Sequence, residues 1–519
     1  MPFYTRLGIL PKKRHVQFRR PDGALYSEEL FGTEGFVGPS STMYHIHPPT
    51  QVYGWKPIAS TKVEYVERDI MRMRHVMTGG PRLPPRGDSV TGRVVLFGNA
   101  DCEMAVCNPA EQMGYHFKNS QGDECLFIHH GSGLCHTMMG TIEFGPKDYL
   151  VIPKGVIYRI TWDPRYVSDS VSDPRAAELL SLLARESDGG SAASRSIRGE
   201  LREIGHRGGL RAAKLDPVTP FGRFLLIETV NGSHIGPPRR YVSKEHGQFL
   251  EHAPYCERDL RLPEPPLTWD EKGDFPVRIK ARDLIHEYVY HYHPLDIVGW
   301  DGCYYPYAFN IDDFSPITGK LHMPPPIHQT FEAHNFVICS FCPRLLDYHP
   351  QAIKVPYNHS NLDSDEVLYY VEGNFGSRKG IEVGSLTAHP QGIPHGPHPG
   401  TIEASLSATH TAELAVMCDT FRPLHPTRAA IDLDDSKYPA SWQGEHFPGI
   451  ASGTMHLNGV TVPPIHAAAF PKDARPGQVI KAEVSATLIP MPGADENGSA
   501  AGTGGPPTVK GATSNVWAP

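Results

Sequence analysis

His359, Glu366 and His395 are the residues whose types and spacing could most plainly do chemistry. Two imidazoles and one carboxylate can occupy one face of a first-row metal and leave the opposite face open, which is the donor set of non-haem ferrous oxygenases. His359 and Glu366 stand seven residues apart, so on one continuous strand they would point to opposite faces. The segment between them, Ser-Asn-Leu-Asp-Ser at 360–364, is turn-rich and lets the chain bend until both meet one centre. Asp365 is an alternative carboxylate one residue away. His389 precedes His395 by six, but Pro390, Gly392 and Pro394 remove any simple strand alternation between them. A lone histidine in such a place more commonly caps a turn or hydrogen-bonds within a core. Three donors on a shared pattern predict a metal centre.

An internal repeat points to the elements that position them. Residues 123–131, Asp-Glu-Cys-Leu-Phe-Ile-His-His-Gly, match residues 365–373, Asp-Glu-Val-Leu-Tyr-Tyr-Val-Glu-Gly, in their acidic start, apolar strand and closing glycine. That alignment by Gly131 and Gly373 favours Glu366 over Asp365 as the ligand. Downstream, Ile152 to Tyr158 and His389 to His395 share Pro-x-Gly followed by a strand. The pattern resembles the cupin family, whose small barrels carry a metal at the mouth. It predicts an all-β fold of two cupin-like β-barrels, a bicupin. In the first copy Glu124 matches Glu366, but Tyr158 stands where the second has His395. The position seven before Glu124 is Phe117, with His116 one step off. That incomplete set predicts a structural first barrel. The expected organisation is 1–166 with the degenerate barrel, a helical insert at 167–214, the remainder of the N-terminal part and a connection at 215–300, the metal-binding barrel at 301–483, and a disordered tail at 484–519. Within the insert, 175–185 reads as one amphipathic helix.

Composition narrows the function further. The 519 residues carry a net charge of -8 with no basic excess, which argues against nucleic acid as a partner. Fifty glycines and fifty prolines spread along the chain suit short strands joined by turns. The N-terminus has no apolar core of signal-peptide length and no later stretch approaches a membrane span, so the cytoplasm is the expected location. Nine cysteines at irregular spacing are expected to be reduced thiols. Cys339 and Cys342 form a C-x-x-C inside what reads as a buried strand, which predicts structural cysteines rather than a redox pair.

Four stretches carry a more specific resemblance: 298–307 (Val-Gly-Trp-Asp-Gly-Cys-Tyr-Tyr-Pro-Tyr), 355–361, 366–373 and 386–397. They resemble the homogentisate 1,2-dioxygenase family. The resemblance implies Fe(2+) held by His359, Glu366 and His395, a small aromatic acid and dioxygen as substrates, and extradiol-type ring opening to maleylacetoacetate in tyrosine and phenylalanine catabolism. It implies a trimer-based homo-oligomer, catalytic roles for Asp301 and His389, and substrate contacts from His389, His395 and Phe375. Two positions depart from the family. Asp301 stands where its members have a histidine that moves a proton, and an ordinary aspartate, with a pKa of about 3.9, is a weaker base than histidine at about 6.5. Phe375 stands where they have a tyrosine near the substrate. The interval from His359 to Glu366 is also one residue longer. Other substrates, such as another hydroquinone or a gentisate-like acid, therefore stay open. So do a metal-dependent cupin isomerase and a non-catalytic ligand-binding bicupin.

Overall fold

The computed structural model describes residues 3–66, 69–163, 221–265, 268–318, 325–373 and 375–442, the strands 479–483 and 513–517, and seven residues between 175 and 200. Residues 1–442 form one compact unit.

Side-chain alternation along single strands stacks three sheets. In the strand Glu124–His130, Leu126 and Ile128 face one way, into a core shared with Cys135, Ile160 and Trp162 of a seven-stranded sheet. Cys125 and Phe127 face the other way, into a second core shared with Ile338, Val367, Tyr369 and Val416 of a six-stranded sheet. The eight-stranded sheet that contains Glu124–His130 is thus buried on both faces, which is why its strands read as nearly continuous apolar runs. The seven- and eight-stranded sheets make the N-terminal cupin-like unit, and the six-stranded sheet is the main wall of the C-terminal one. The expected all-β, duplicated architecture is present.

The two units are laced together. Arg74–Val76 pairs with Leu386–His389 at the edge of the six-stranded sheet, and His425–Pro426 pairs with Arg93–Gly98 at the edge of the eight-stranded sheet. Ile297–Gly302 pairs with Ser40–His45, and Tyr307–Asn310 with Asp148–Ile152. The residues just after 301, placed by the sequence in the second barrel, therefore complete sheets of the N-terminal unit.

The repeat is visible atom by atom. Gly131 and Gly373 close their strands at φ +89° and +94°, where a Cβ would run into the carbonyls of Phe221 and Ala412 respectively. Asp123 accepts from the backbone N–H of Lys154 (2.8 Å) and Ile235 (3.0 Å). Asp365 accepts from those of Gln391 (2.8 Å) and Leu424 (2.7 Å). Each aspartate pins the turn of its own Pro-x-Gly.

Arg175, Glu178, Leu179 and Leu182 are helical, in line with the helix expected at 175–185; the rest of that segment lies outside the described residues. Residues 443–519 form a separate unit, in which Val479–Glu483 pairs with Thr513–Trp517. The remainder of the tail expected from 484 lies outside the described residues. All nine cysteines are free thiols, with Cys339 and Cys342 buried as expected. Among the described residues no helix is long and apolar enough to cross a membrane.

Candidate metal centre

Glu366 is the second residue of the strand Asp365–Glu372. The even residues of that strand, Glu366, Leu368 and Tyr370, face away from the shared core and line a cavity on the outer side of the six-stranded sheet. His395 reaches the same place from beyond the Pro-x-Gly turn, and His359 from the loop before Glu366. A two-bond bridge clamps these loops: His359 N–H donates to His395 O (2.8 Å) and His395 N–H to His359 O (2.9 Å).

The side chains converge. Nε2 of His359 lies 3.8 Å from one Glu366 oxygen and Nε2 of His395 lies 3.8 Å from the other. One donor atom from each of the three falls within 4.8 Å of the others. Nδ1 of His359 is 3.2 Å from Tyr357 O and Nδ1 of His395 is 2.9 Å from Ile393 O. A carbonyl only accepts, so Nδ1 carries the proton and the lone pair is left on Nε2. Both Nε2 atoms are buried without a hydrogen-bond partner. Such an orphan costs about 1–3 kcal/mol, and a cation at the shared point would relieve two at once. The residues fit an N2O-ligated divalent metal. Asp365 no longer competes for it, because its oxygens hold the backbone of Gln391 and Leu424.

His389 occupies a different place from the one the sequence assigned. It is the register partner of Glu366, is fully buried, and bonds Glu366 Oε1 through Nδ1 (2.8 Å) and the Tyr438 hydroxyl through Nε2 (3.1 Å). It stands behind the carboxylate and does not line the cavity. Burial pushes its imidazole down to about 4 despite Glu366, so it is a neutral donor that orients the carboxylate. Burial pushes the Glu366 carboxyl up, but the imidazoles of His359, His389 and His395 override this and hold it well below the usual carboxylate range. Asp419, the register partner of Glu366 on its other side, lacks such help, and burial raises it well above the usual range.

Among the residues assigned to substrate, Phe375 lines the cavity and packs edge-on against Tyr370 at 4.5 Å, whereas His395 serves the centre and does not line the cavity wall. Asp301 is not brought to this cavity. Its strand belongs to a four-stranded sheet, and its carboxylate accepts from the Tyr4 hydroxyl (2.7 Å) and from Arg14 (2.9 and 3.1 Å).

Sequence reasoning missed Arg378. Its guanidinium lines the cavity and donates to Gly396 O, while Nε is buried and unpaired, and no described carboxylate forms an ion pair with it. Leu368, Phe341, Ile353 and Met417 supply apolar wall. No repeat or spacing marks Arg378. Its only sequence signal is a cation shortly after the strand that carries Glu366.

The first copy answers the same geometry with protein groups alone. Glu124 is completely buried and meets Arg93 Nη1 at 2.6 Å, the Tyr158 hydroxyl at 2.5 Å and Asn119 at 3.2 Å. A guanidinium takes the position of the cation, and Tyr158 that of the second imidazole.

Among curated proteins, one from Saccharolobus solfataricus, provisionally named a dioxygenase, is 34% identical over 448 residues, spanning 85% of this chain and 99% of its own length. Homogentisate 1,2-dioxygenase of Pseudomonas syringae pv. tomato is 27% identical over 275 residues, spanning 48% of this chain and 62% of its own length. No family model matches the chain. Solved structures with likeness include a cupin 2 conserved barrel domain protein from Leptotrichia buccalis, with 9% identity and a TM-score of 0.26 over 70% of this chain and all of that one. A Bacillus subtilis oxalate decarboxylase mutant has 9% identity and a TM-score of 0.21 over 72% of this chain and 80% of that one.

Proposed function

The chain belongs to the family of the Saccharolobus solfataricus protein, and from that premise we propose that it is an Fe(2+)-dependent dioxygenase that opens the ring of a small aromatic acid, with homogentisate as the leading substrate. The observation that carries this reading is the pair of buried, partnerless Nε2 atoms flanking Glu366 at the edge of a cavity lined by Arg378, whose guanidinium has no carboxylate partner among the described residues. His359, Glu366 and His395 would hold the iron on one side. Bound iron supplies the redox chemistry that lets dioxygen react with the ring.

The chain's own residues do the rest. His389 fixes the orientation of Glu366 from behind, with Tyr438 fixing His389 in turn. Phe375, Leu368 and Met417 shape an apolar slot for a ring and exclude water. Arg378 faces the same slot and offers a charge-assisted bond to a substrate carboxylate. Asp301 has no part in this scheme, since Tyr4 and Arg14 hold its carboxylate away from the cavity. With Phe375 lacking a hydroxyl, this favours keeping another hydroquinone or a gentisate-like acid as the second reading. The same reading places the protein in the cytoplasm as a trimer-based homo-oligomer.

Oxygen uptake after anaerobic loading with ferrous iron, run on homogentisate, gentisate and hydroquinones without a carboxylate, tests it. The expected result is iron-dependent uptake with an acid and a ring-opened chromophore. No uptake with any ring, or turnover without oxygen, would overturn it.

A further inference from the structure

The N-terminal unit contains a second polar cavity, on the outer face of its seven-stranded sheet. Its floor is one row across four neighbouring strands, Gly140–Phe144, Gly133–Thr137, Ile157–Trp162 and His116–Asn119. Thr141 pairs with His136, and His136 with Arg159. Tyr158 pairs with Phe117, which sets Arg159 opposite His116 one step along. Neighbouring strands lie about 4.8 Å apart, so Thr141, His136, Arg159 and His116 stand side by side. Phe117, Tyr158, Cys135 and Ile142 face the core instead. Trp269, His293 and Leu295 complete the cavity from the chain segments around it.

The row carries uncompensated charge. Two other deep cations of this unit have acceptors: Arg93 has Glu124 and Lys280 has Glu228. Arg159 forms no ion pair or hydrogen bond with any described residue. Of the carboxylates around the row, Asp296 is held by His45, Glu264, whose backbone pairs with Thr141, is exposed, and Glu143, two residues from Thr141 on the same face, makes no ion pair with Arg159. His116 is 7% exposed and also has no hydrogen-bond partner among the described residues. Burial pushes it down to about 3, with the neighbouring Arg159 guanidinium adding to the effect, and leaves a neutral imidazole. His293 accepts from Leu295 N–H at Nδ1 (3.1 Å), which fixes its proton on Nε2 as a donor.

We propose that this cavity binds a small molecule through one oxyanion group, with Arg159 as the ion-pairing residue and His116 and His293 as donors beside it. A guanidinium set between two histidines, with no carboxylate paired to it among the described residues, offers an incoming anion a charge-assisted bond. A carboxylate and a phosphate share the required chemistry, because a guanidinium fork serves either.

Calorimetric titration at neutral pH with acetate and, separately, inorganic phosphate, run on the full chain and on its Arg378→Gln variant, which removes the carboxylate-binding residue of the other cavity, tests this and distinguishes the two sources. One saturable site per chain is expected for at least one of them. In the Arg378→Gln background the site should persist, and there Arg159→Gln should weaken it by about tenfold or more and Arg159→Lys less. His116→Gln should also weaken it, which keeps the test decisive if Arg159→Gln fails to fold. Absence of saturable binding, or equal binding by wild type, Arg159→Gln and His116→Gln, would overturn the proposal. So would a smaller assembly on sedimentation of Arg159→Gln with no change in anion binding, since the guanidinium would then meet a carboxylate of a second copy.

Discussion

At the residue scale, the account rests on tautomers. Backbone carbonyls hold the Nδ1 protons of His359 and His395, so both Nε2 lone pairs are presented to Glu366 and to whatever ion joins it. These three were legible because they sit on a motif with fixed offsets from Pro-x-Gly and from a closing glycine. The role of His389 was not, because the prolines and glycine after it hide which side of Glu366 it takes, and only strand register settles that. Arg378 was invisible for a related reason: nothing local distinguishes it from any solvated arginine. Its expected role yields a clean kinetic split. Arg378→Met should raise KM for a carboxylate-bearing substrate by about tenfold or more with kcat little changed, because the bond it makes is the same in ground and transition states. Steady-state oxygen uptake measures this, and a fall in kcat at constant KM would contradict it.

At the scale of elements, the two copies show one strand-and-turn unit used in two ways. The aspartate that pins Pro-x-Gly is kept in both, and the glutamate after it is satisfied by an arginine in one and left open to a cation in the other. The sequence disclosed the missing ligands of the first copy but not Arg93, which arrives from a separate strand outside the repeat. Arg93→Met should destabilise the protein by about 3–5 kcal/mol, since it strands a buried carboxylate. Urea denaturation with iron content measured alongside should show lower stability and an intact metal site. A second element-level prediction concerns His45, which ties Ser40–His45 to the turn before Ile297–Gly302 by a bond to Asp296 (2.8 Å) and to the strand Ser27–Gly32 by a bond to Glu29 (2.9 Å). Burial would lower this imidazole, but the two carboxylates override it and raise it to about 9. Because that lies above the unfolded value of about 6.5, the stabilisation is complete below pH 6.5 and disappears as pH rises through 9, a change on the order of 3 kcal/mol. Thermal melts should therefore show stability falling from pH 6.5 to 9, with this component absent in His45→Gln.

At the scale of the whole molecule, the eight-stranded sheet is the common wall of two cores, and strands cross between the units in both directions. The duplication and the all-β class could be read from the repeat. The lacing could not, because Arg74–Val76 and His425–Pro426 are too short to carry a periodic signal and pair with strands more than 300 residues away. The consequence is that the second barrel has no independent core. A fragment beginning at 301 lacks the faces that cover Ile338, Val367 and Tyr369, so it should fail to give the circular dichroism and cooperative melt of the intact chain. A fragment that folds and binds iron alone would contradict this layering.

The central claim is that three side chains hold one ferrous ion with an open face. Anaerobic iron loading followed by nitric oxide, read by electron paramagnetic resonance in the intact chain and in Glu366→Ala, tests it most directly. The account predicts one iron per chain with a high-spin iron–nitrosyl signal, both lost in the variant. Iron retained with that signal unchanged in Glu366→Ala would contradict it.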